Sequence, residues 1–175
     1  MSYKYMRKDH INEEVMHRVI RQLNKNDIQL HLPVLAELLH QEWRAFTPWA
    51  TPETITNRLQ ARILATNLNE VWCVWQNNHL VATASIIDKE IDFIDDAQWW
   101  IGEIYTHPTY RGQGIASALI QNVTDDYWKK TDQDLYLYTP DQQKLYQKMG
   151  WSITQNLIYQ DEMVSIMKRT KHIDF

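Results

Sequence analysis

Apolar and polar positions along the chain switch period between two and about 3.6, and the switches mark out alternating strands and helices. Arg18-Val-Ile-Arg-Gln-Leu23 reads as a first strand. Pro33 suits the opening turn of a helix in which Leu35, Leu38, Leu39, Trp43 and Phe46 recur at helical spacing. Thr51-Pro52-Glu53 marks a second helix start, with a capping hydroxyl, a first-turn proline and an acid near the positive end of the dipole. Ile55, Leu59 and Ile63 give that helix one apolar face. Two strands, Val71 to Gln76 and Leu80 to Ile87, flank Asn77-Asn78-His79, and asparagine tolerates the positive φ of a tight hairpin. An acidic stretch follows (Asp88, Glu90, Asp92, Asp95, Asp96), then a strand from Gln98 to Thr106. Ile115, Leu119, Val123 and Tyr127 recur every four residues and predict a long helix. Leu135 to Thr139 is a strand, Asp141 caps a short helix that Gly150 ends, and Trp151 to Gln160 and Glu162 to Lys168 are two strands turning about Asp161. The sum is one α/β (α+β) domain over residues 17–175, a mixed sheet of about seven strands with helices on its faces. Residues 1–16 are polar and expected to form a loose extension.

Composition narrows this picture. With 175 residues, 44% hydrophobic and 23% charged, the chain has material for one proper core, and whole-chain disorder or coiled coil is excluded. A net charge of -4 speaks against a partner nucleic acid, whose binding calls for a basic surface. Cys73 is the single cysteine and lies in the apolar run Val71-Trp72-Cys73-Val74-Trp75, which reads as a buried inert thiol. The seven histidines form no ligand pair at helical spacing, so no metal is expected. No signal sequence or membrane span is seen, and the expected location is cytoplasmic.

Glycine is scarce, four residues in all, and two of them share one loop, Gly112 and Gly114, between a strand and an amphipathic helix. A backbone that turns with positive φ or approaches a ligand closely needs glycine there. The amides of Gln113, Gly114, Ile115 and Ala116 are then the unpaired donors of the helix's first turn, an anion site suited to a pyrophosphate with Arg111 adding a positive charge, whereas the two glycines alone equally fit a tight strand-to-helix turn without ligand. Ile115-Ala116 follow where a P-loop has Lys-Ser or Lys-Thr, and Ser117 stands where a dinucleotide fingerprint has glycine.

The segment Ile104-Tyr-Thr-His-Pro-Thr-Tyr-Arg-Gly-Gln-Gly-Ile-Ala-Ser-Ala-Leu119 closely resembles the acetyl-CoA motif of the GNAT superfamily of N-acetyltransferases, whose core Arg/Gln-x-x-Gly-x-Gly/Ala is met by Arg111, Gly114 and Ala116. Leu145-Tyr-Gln-Lys-Met-Gly-Trp151 is similar to the family's fourth-helix segment. The resemblance spans about Arg18 to Lys168 and implies a mostly antiparallel sheet.

It also implies a chemistry. The pyrophosphate of acetyl-CoA is expected on Arg111, Gly112, Gln113, Gly114, Ile115 and Ala116, with the pantetheine arm beside Ile104, Tyr105 and Thr106. An amine is expected to attack the thioester directly in a ternary complex. Tyr146 matches the family's general acid and also borders the cofactor. Glu103 is the candidate base, since it immediately precedes the cofactor-binding part of the strand; against this, many relatives bring their glutamate from three residues earlier, where this chain has Trp100, and Glu42 is the fallback. Glu42, Trp43 and Trp100 are expected to line the acceptor site, within a set of tryptophans that includes Trp49 and Trp99. The acidic stretch either steers a cationic acceptor or is a solvated loop. The expected partners are therefore acetyl-CoA and a small primary amine, in a monomer or homodimer. A peptide or protein amine is the alternative acceptor, and a non-catalytic acyl-CoA sensor the alternative function.

Overall fold

The computed structural model describes residues 17–171; the expectation of a loose extension over 1–16 falls outside them. Seven strands form one sheet in the order β1-β2-β3-β4-β5-β7-β6. They are β1 (Arg18–Gln22), β2 (Glu70–Gln76), β3 (His79–Asp88), β4 (Trp99–Thr106), β5 (Leu135–Thr139), β6 (Ser152–Tyr159) and β7 (Glu162–Arg169). Every neighbouring pair is antiparallel except β4 and β5. Asn77 and Asn78 close the β2–β3 hairpin with φ of 50° and 65°, and Gln160 and Asp161 close β6–β7 with 51° and 63°. These are the left-handed conformations that two-residue hairpins select.

Alternation along β2 assigns the faces. Val71 and Cys73 pack with helices α1 (Ile28–Trp43) and α2 (Pro52–Leu64), while Val74 and Trp72 pack beneath α3 (Ile115–Lys130). Leu32, Leu35, Ala36 and Leu39 form the buried stripe of α1 and meet Ile55 and Leu59 of α2. All are fully withdrawn from water, and each large aliphatic chain contributes about 1.5–3 kcal/mol by burial. Ile115, Leu119, Val123 and Tyr127 are likewise buried along α3. A short helix, α4 (Gln143–Lys148), carries Tyr146 against the same cluster.

Two expected helix starts move. α1 begins at Ile28, so Pro33 lies in its second turn rather than its first. A capping box on Asn24 winds a short 3-10 turn straight into the helix, and buried Asp27 is tied to Arg21 of β1 by two bonds of 2.8 and 2.9 Å. Pro33 faces solvent, so the Gln29 carbonyl that it leaves without an amide is on an exposed turn. At α4 the N-cap is Gln142, not Asp141; the Gln142 amide donates to Thr139 Oγ1 at 3.0 Å.

Candidate active site

The site begins with a defect in β4. Ser85 pairs with Gly102 and Thr83 with Tyr105, so β4 carries one residue more than β3 opposite Ala84. Such a bulge bends its strand. Glu103 sits in it with φ of 53°, a left-handed conformation that costs a non-glycine residue on the order of 1 kcal/mol or more. Past this bend β4 leaves β5: only Trp99 and Trp100 pair with Leu135 and Tyr136, while β4 runs on to Thr106. The parting strands open a cavity of about 740 Å³. Ile104, Tyr105 and Thr106 line it along the freed edge, with Tyr146 on the α4 side.

Arg111, Gly112, Gly114, Ile115 and Ala116 line the same cavity where α3 begins. Gly112 and Gly114 have φ of 75° and 71°, and nothing lies within 4 Å of where their side chains would be. The loop therefore presents bare backbone to open space. Gly114 is the N-cap of α3, with no side-chain cap and no acid in the first turn, so the first amides and the dipole's positive end point at that space unopposed. Those features fit a pyrophosphate. Gln113 departs from its expected place: it does not line the cavity, and its side chain accepts from Gln76 at 3.3 Å. Arg111 is already engaged, donating to the Thr106 carbonyl at 2.9 Å and to Glu42 at 2.8 Å.

At the other end lie aromatic rings and carboxylates. Trp43 and Trp49 are in contact with centroids 4.6 Å apart and planes tilted by 58°, and Trp43 and Tyr105 meet edge-on at 6.2 Å. Arg58 lies over Trp49 at 4.2 Å and donates to the Pro48 carbonyl at 2.8 Å, which locks the turn carrying Trp49 to α2. Glu42, Trp43 and Trp49 all line the cavity, as expected. Trp100 does not. It is fully buried in a separate cluster with Ile87, Tyr136 and Ile166, its indole donating to the Ala97 carbonyl at 3.0 Å, and Trp99 is also core. Both sit on the part of β4 that remains paired with β5, ahead of the opening, so the expected substrate role of Trp100 is replaced by packing.

Glu103 lines the cavity but is not free. Its carboxylate is paired with Arg62 and with Arg58, the latter at 3.1 Å, and accepts from Ser85 at 2.7 Å. Burial pushes its carboxyl up, but Arg62, Arg58 and the Ser85 hydroxyl outweigh this and hold it below the usual carboxylate range. A carboxylate so strongly kept ionised is a poor proton acceptor. The geometry thus argues against the base role expected of Glu103 and makes it an anchor: it ties α2 to the bulge and offsets the bulge's backbone strain.

Two features of the site lie beyond the expected residues. Arg58 and Arg62 are four apart, beside the apolar stripe of α2, a spacing that places both on one edge of the helix facing the sheet. Glu90 belongs to the acidic stretch. Its neighbours Asp88, Asp92, Asp95 and Asp96 are exposed, but Glu90 turns inward and lines the cavity. Burial, then the charge of Glu103, push its carboxyl up to about 7, against the opposing pull of Arg62 and Arg58. Tyr146 is almost fully buried at 6% exposure, and burial, with a smaller effect of Asp141, pushes its phenol up to about 12. It stays protonated at neutral pH.

Among the described residues no helix is long and apolar enough to cross a membrane, and no group of three or more His, Cys, Asp or Glu is arranged to hold a metal ion. No curated protein sequence matches the chain. Residues 67–153, from β2 through the glycine loop to the start of β6, match the acetyltransferase (GNAT) domain family. Among solved structures, an aminoglycoside 6'-N-acetyltransferase complexed with coenzyme A is similar over 89% of this chain and 99% of its own, at 14% identity and a TM-score of 0.66. The ribosomal-protein-alanine N-acetyltransferase of Brucella melitensis covers 87% and 99% at 14% identity and 0.69. The PaiA N-acetyltransferase of Thermoplasma acidophilum, in complex with coenzyme A, covers 89% and 100% at 16% identity and 0.66. The family match and the shared fold agree, and the chain belongs to the GNAT superfamily of acyl-CoA-dependent N-acetyltransferases.

Proposed function

We propose that the protein moves an acetyl group from acetyl-CoA to a primary amine of a small molecule, by direct attack in a ternary complex. The observation that carries this reading is the continuity of one cavity, from the bare glycine loop along the free edge of β4 to a chamber of aromatic rings and carboxylates. The loop amides of residues 112 to 116 hold the pyrophosphate, and the edge at Ile104, Tyr105 and Thr106 takes the pantetheine arm. Acetyl-CoA supplies the thioester carbon. An amide of β4 aimed at its carbonyl oxygen stabilises the negative charge that develops on attack. Tyr146, kept protonated by burial, gives its proton to the thiolate as the carbon–sulfur bond breaks. The adjoining rings of Trp43 and Trp49, with Glu42 beside them, suit a cationic group carried on an apolar or aromatic body.

Two measurements test this. Acetyl-CoA at 100 times its dissociation constant adds ~2.7 kcal/mol to the folded state, a clear rise in melting temperature, whereas ATP and NAD add none. Thiol release from acetyl-CoA is then followed with benzylamine, phenethylamine, tryptamine, spermidine and an unblocked alanyl peptide, against a no-amine control. Release with a small amine is expected. Release with the peptide alone makes the acceptor a polypeptide, and cofactor binding with no release from any amine makes the protein a sensor.

A further inference from the structure

Gly102 does not turn the chain; it clears space. A Cβ built there would lie 2.9 Å from Ile87 Cδ1 and 3.6 Å from Glu90 Oε2. The Glu90 carboxylate therefore rests against β4 where that strand has no side chain, one residue before the bulge and two before Ile104, on the wall of the cavity. Unlike Glu103, it has no hydrogen bond or ion pair among the described residues. The two arginines of α2 are committed to Glu103, so Glu90 is left as an inward-turned carboxylate without a partner beside the strand edge on which the thioester is expected, whereas Asp141 and Glu162 on the same cavity are exposed.

We propose that Glu90 is the group that receives the acceptor as an ammonium ion and takes its proton before attack. The inference rests on the acetyl-transfer reading above. The groups facing Glu90 are Glu103 on β4, Arg58 and Arg62 on α2, Tyr138 on β5 and Tyr159 on β6, with Glu162 of β7 on the same wall. The phenols of Tyr138 and Tyr159 are pushed up and stay neutral, so they offer ring faces and hydroxyls but no competing charge. Glu103 remains ionised and disfavours a second negative charge nearby, which makes Glu90 the proton-accepting member of the pair.

The proton count closes. Glu90 takes one proton from R–NH3+, and the neutral nitrogen attacks the thioester carbon. The C–N bond forms, the tetrahedral intermediate collapses, and the C–S bond breaks. The thiolate receives a proton from Tyr146, the surplus proton on the new amide nitrogen restores the phenol, and Glu90 releases its proton to water. The sum is amine cation plus acetyl-CoA giving amide, CoA thiol and one proton.

The test compares the parent with Glu90→Gln and Glu90→Asp across pH 6 to 9.5, using the amine of the panel above that the parent acetylates fastest. The parent rate is expected to rise through pH 7, as Glu90 ionises, and then level. Glu90→Gln is expected to be slower by ~10²-fold at pH 7.5, with acetyl-CoA stabilisation unchanged. Its deficit shrinks about tenfold per pH unit above that, because solution chemistry then supplies the neutral amine. Glu90→Asp recovers part of the rate. A deficit that stays constant with pH makes Glu90 merely structural and overturns the proposal, as does a glutamine variant as fast as the parent. A parent that binds acetyl-CoA but acetylates no amine overturns the acetyl-transfer reading first, and this inference falls with it.

Discussion

The two ends of the cavity are built on opposite principles. At the α3 end the candidate cofactor site is backbone: contiguous residues, two glycines in the left-handed region and unpaired helix amides. At the other end the chamber is made of side chains brought from α1 and the turn after it, the β3–β4 loop, β4, β5, β6 and β7. Its electrostatics hang on a single doubly paired glutamate. A backbone site tolerates most side-chain changes, since its donors are common to all residues. A side-chain site changes character with each charge, and within it Glu103 and Glu90, the same residue type on one wall, are driven in opposite directions. The difference lies in who holds the arginines.

The largest expected effect breaks the chamber. Arg62→Ala removes one of the two cations from a carboxylate whose side chain is only 3% exposed, and losing one partner of a buried pair costs about 3–5 kcal/mol. Denaturant unfolding is expected to show that loss, with Glu103→Gln in the same background restoring part of it. If the single variant is as stable as the parent, Glu103 is not the anchor of this end.

Next in size is Tyr146, the proposed acid at the junction of the two ends. Tyr146→Phe keeps the ring's contact with Trp151, 6.4 Å between centroids, and removes the proton. Turnover is expected to fall ~10²-fold, mainly in kcat, while acetyl-CoA affinity barely changes. Equal losses in affinity and rate would instead make the hydroxyl a cofactor anchor.

The smallest effect sharpens the border between the ends. Arg111 spans them through its 2.8 Å bond to Glu42, both side chains being substantially exposed at 51% and 32%. Such a bridge is worth at most about 1 kcal/mol. Glu42→Gln frees Arg111 for an anion, so CoA affinity is expected to rise by at most roughly fivefold at low salt and by nothing at high salt. A loss of affinity would mean that Glu42 positions Arg111 rather than competing for it.

The sequence by itself determined what depends on near neighbours. Strand and helix periods, the two asparagine and Gln-Asp turns, the first turn of α3 and the glycine loop are set by residues a few positions apart, whose backbone angles and amide donors do not wait for tertiary contacts. Tyr146 was legible for the same reason, lying inside a contiguous motif. Pro33 misled because its signal is strong but local, and the capping box and Asp27–Arg21 pair that start α1 earlier join two elements. Trp100 misled because only sheet pairing decides where β4 and β5 part. What tertiary structure alone decided is the charge of the chamber. Glu90 looked like one more solvated acid among Asp88 to Asp96, and Glu103 like a free strand-end carboxylate. A carboxyl's proton affinity depends on the water removed from it and on the charges within a few ångströms. Arg58 and Arg62 reach Glu103 from 45 and 41 residues away in the chain, a proximity that no local pattern encodes.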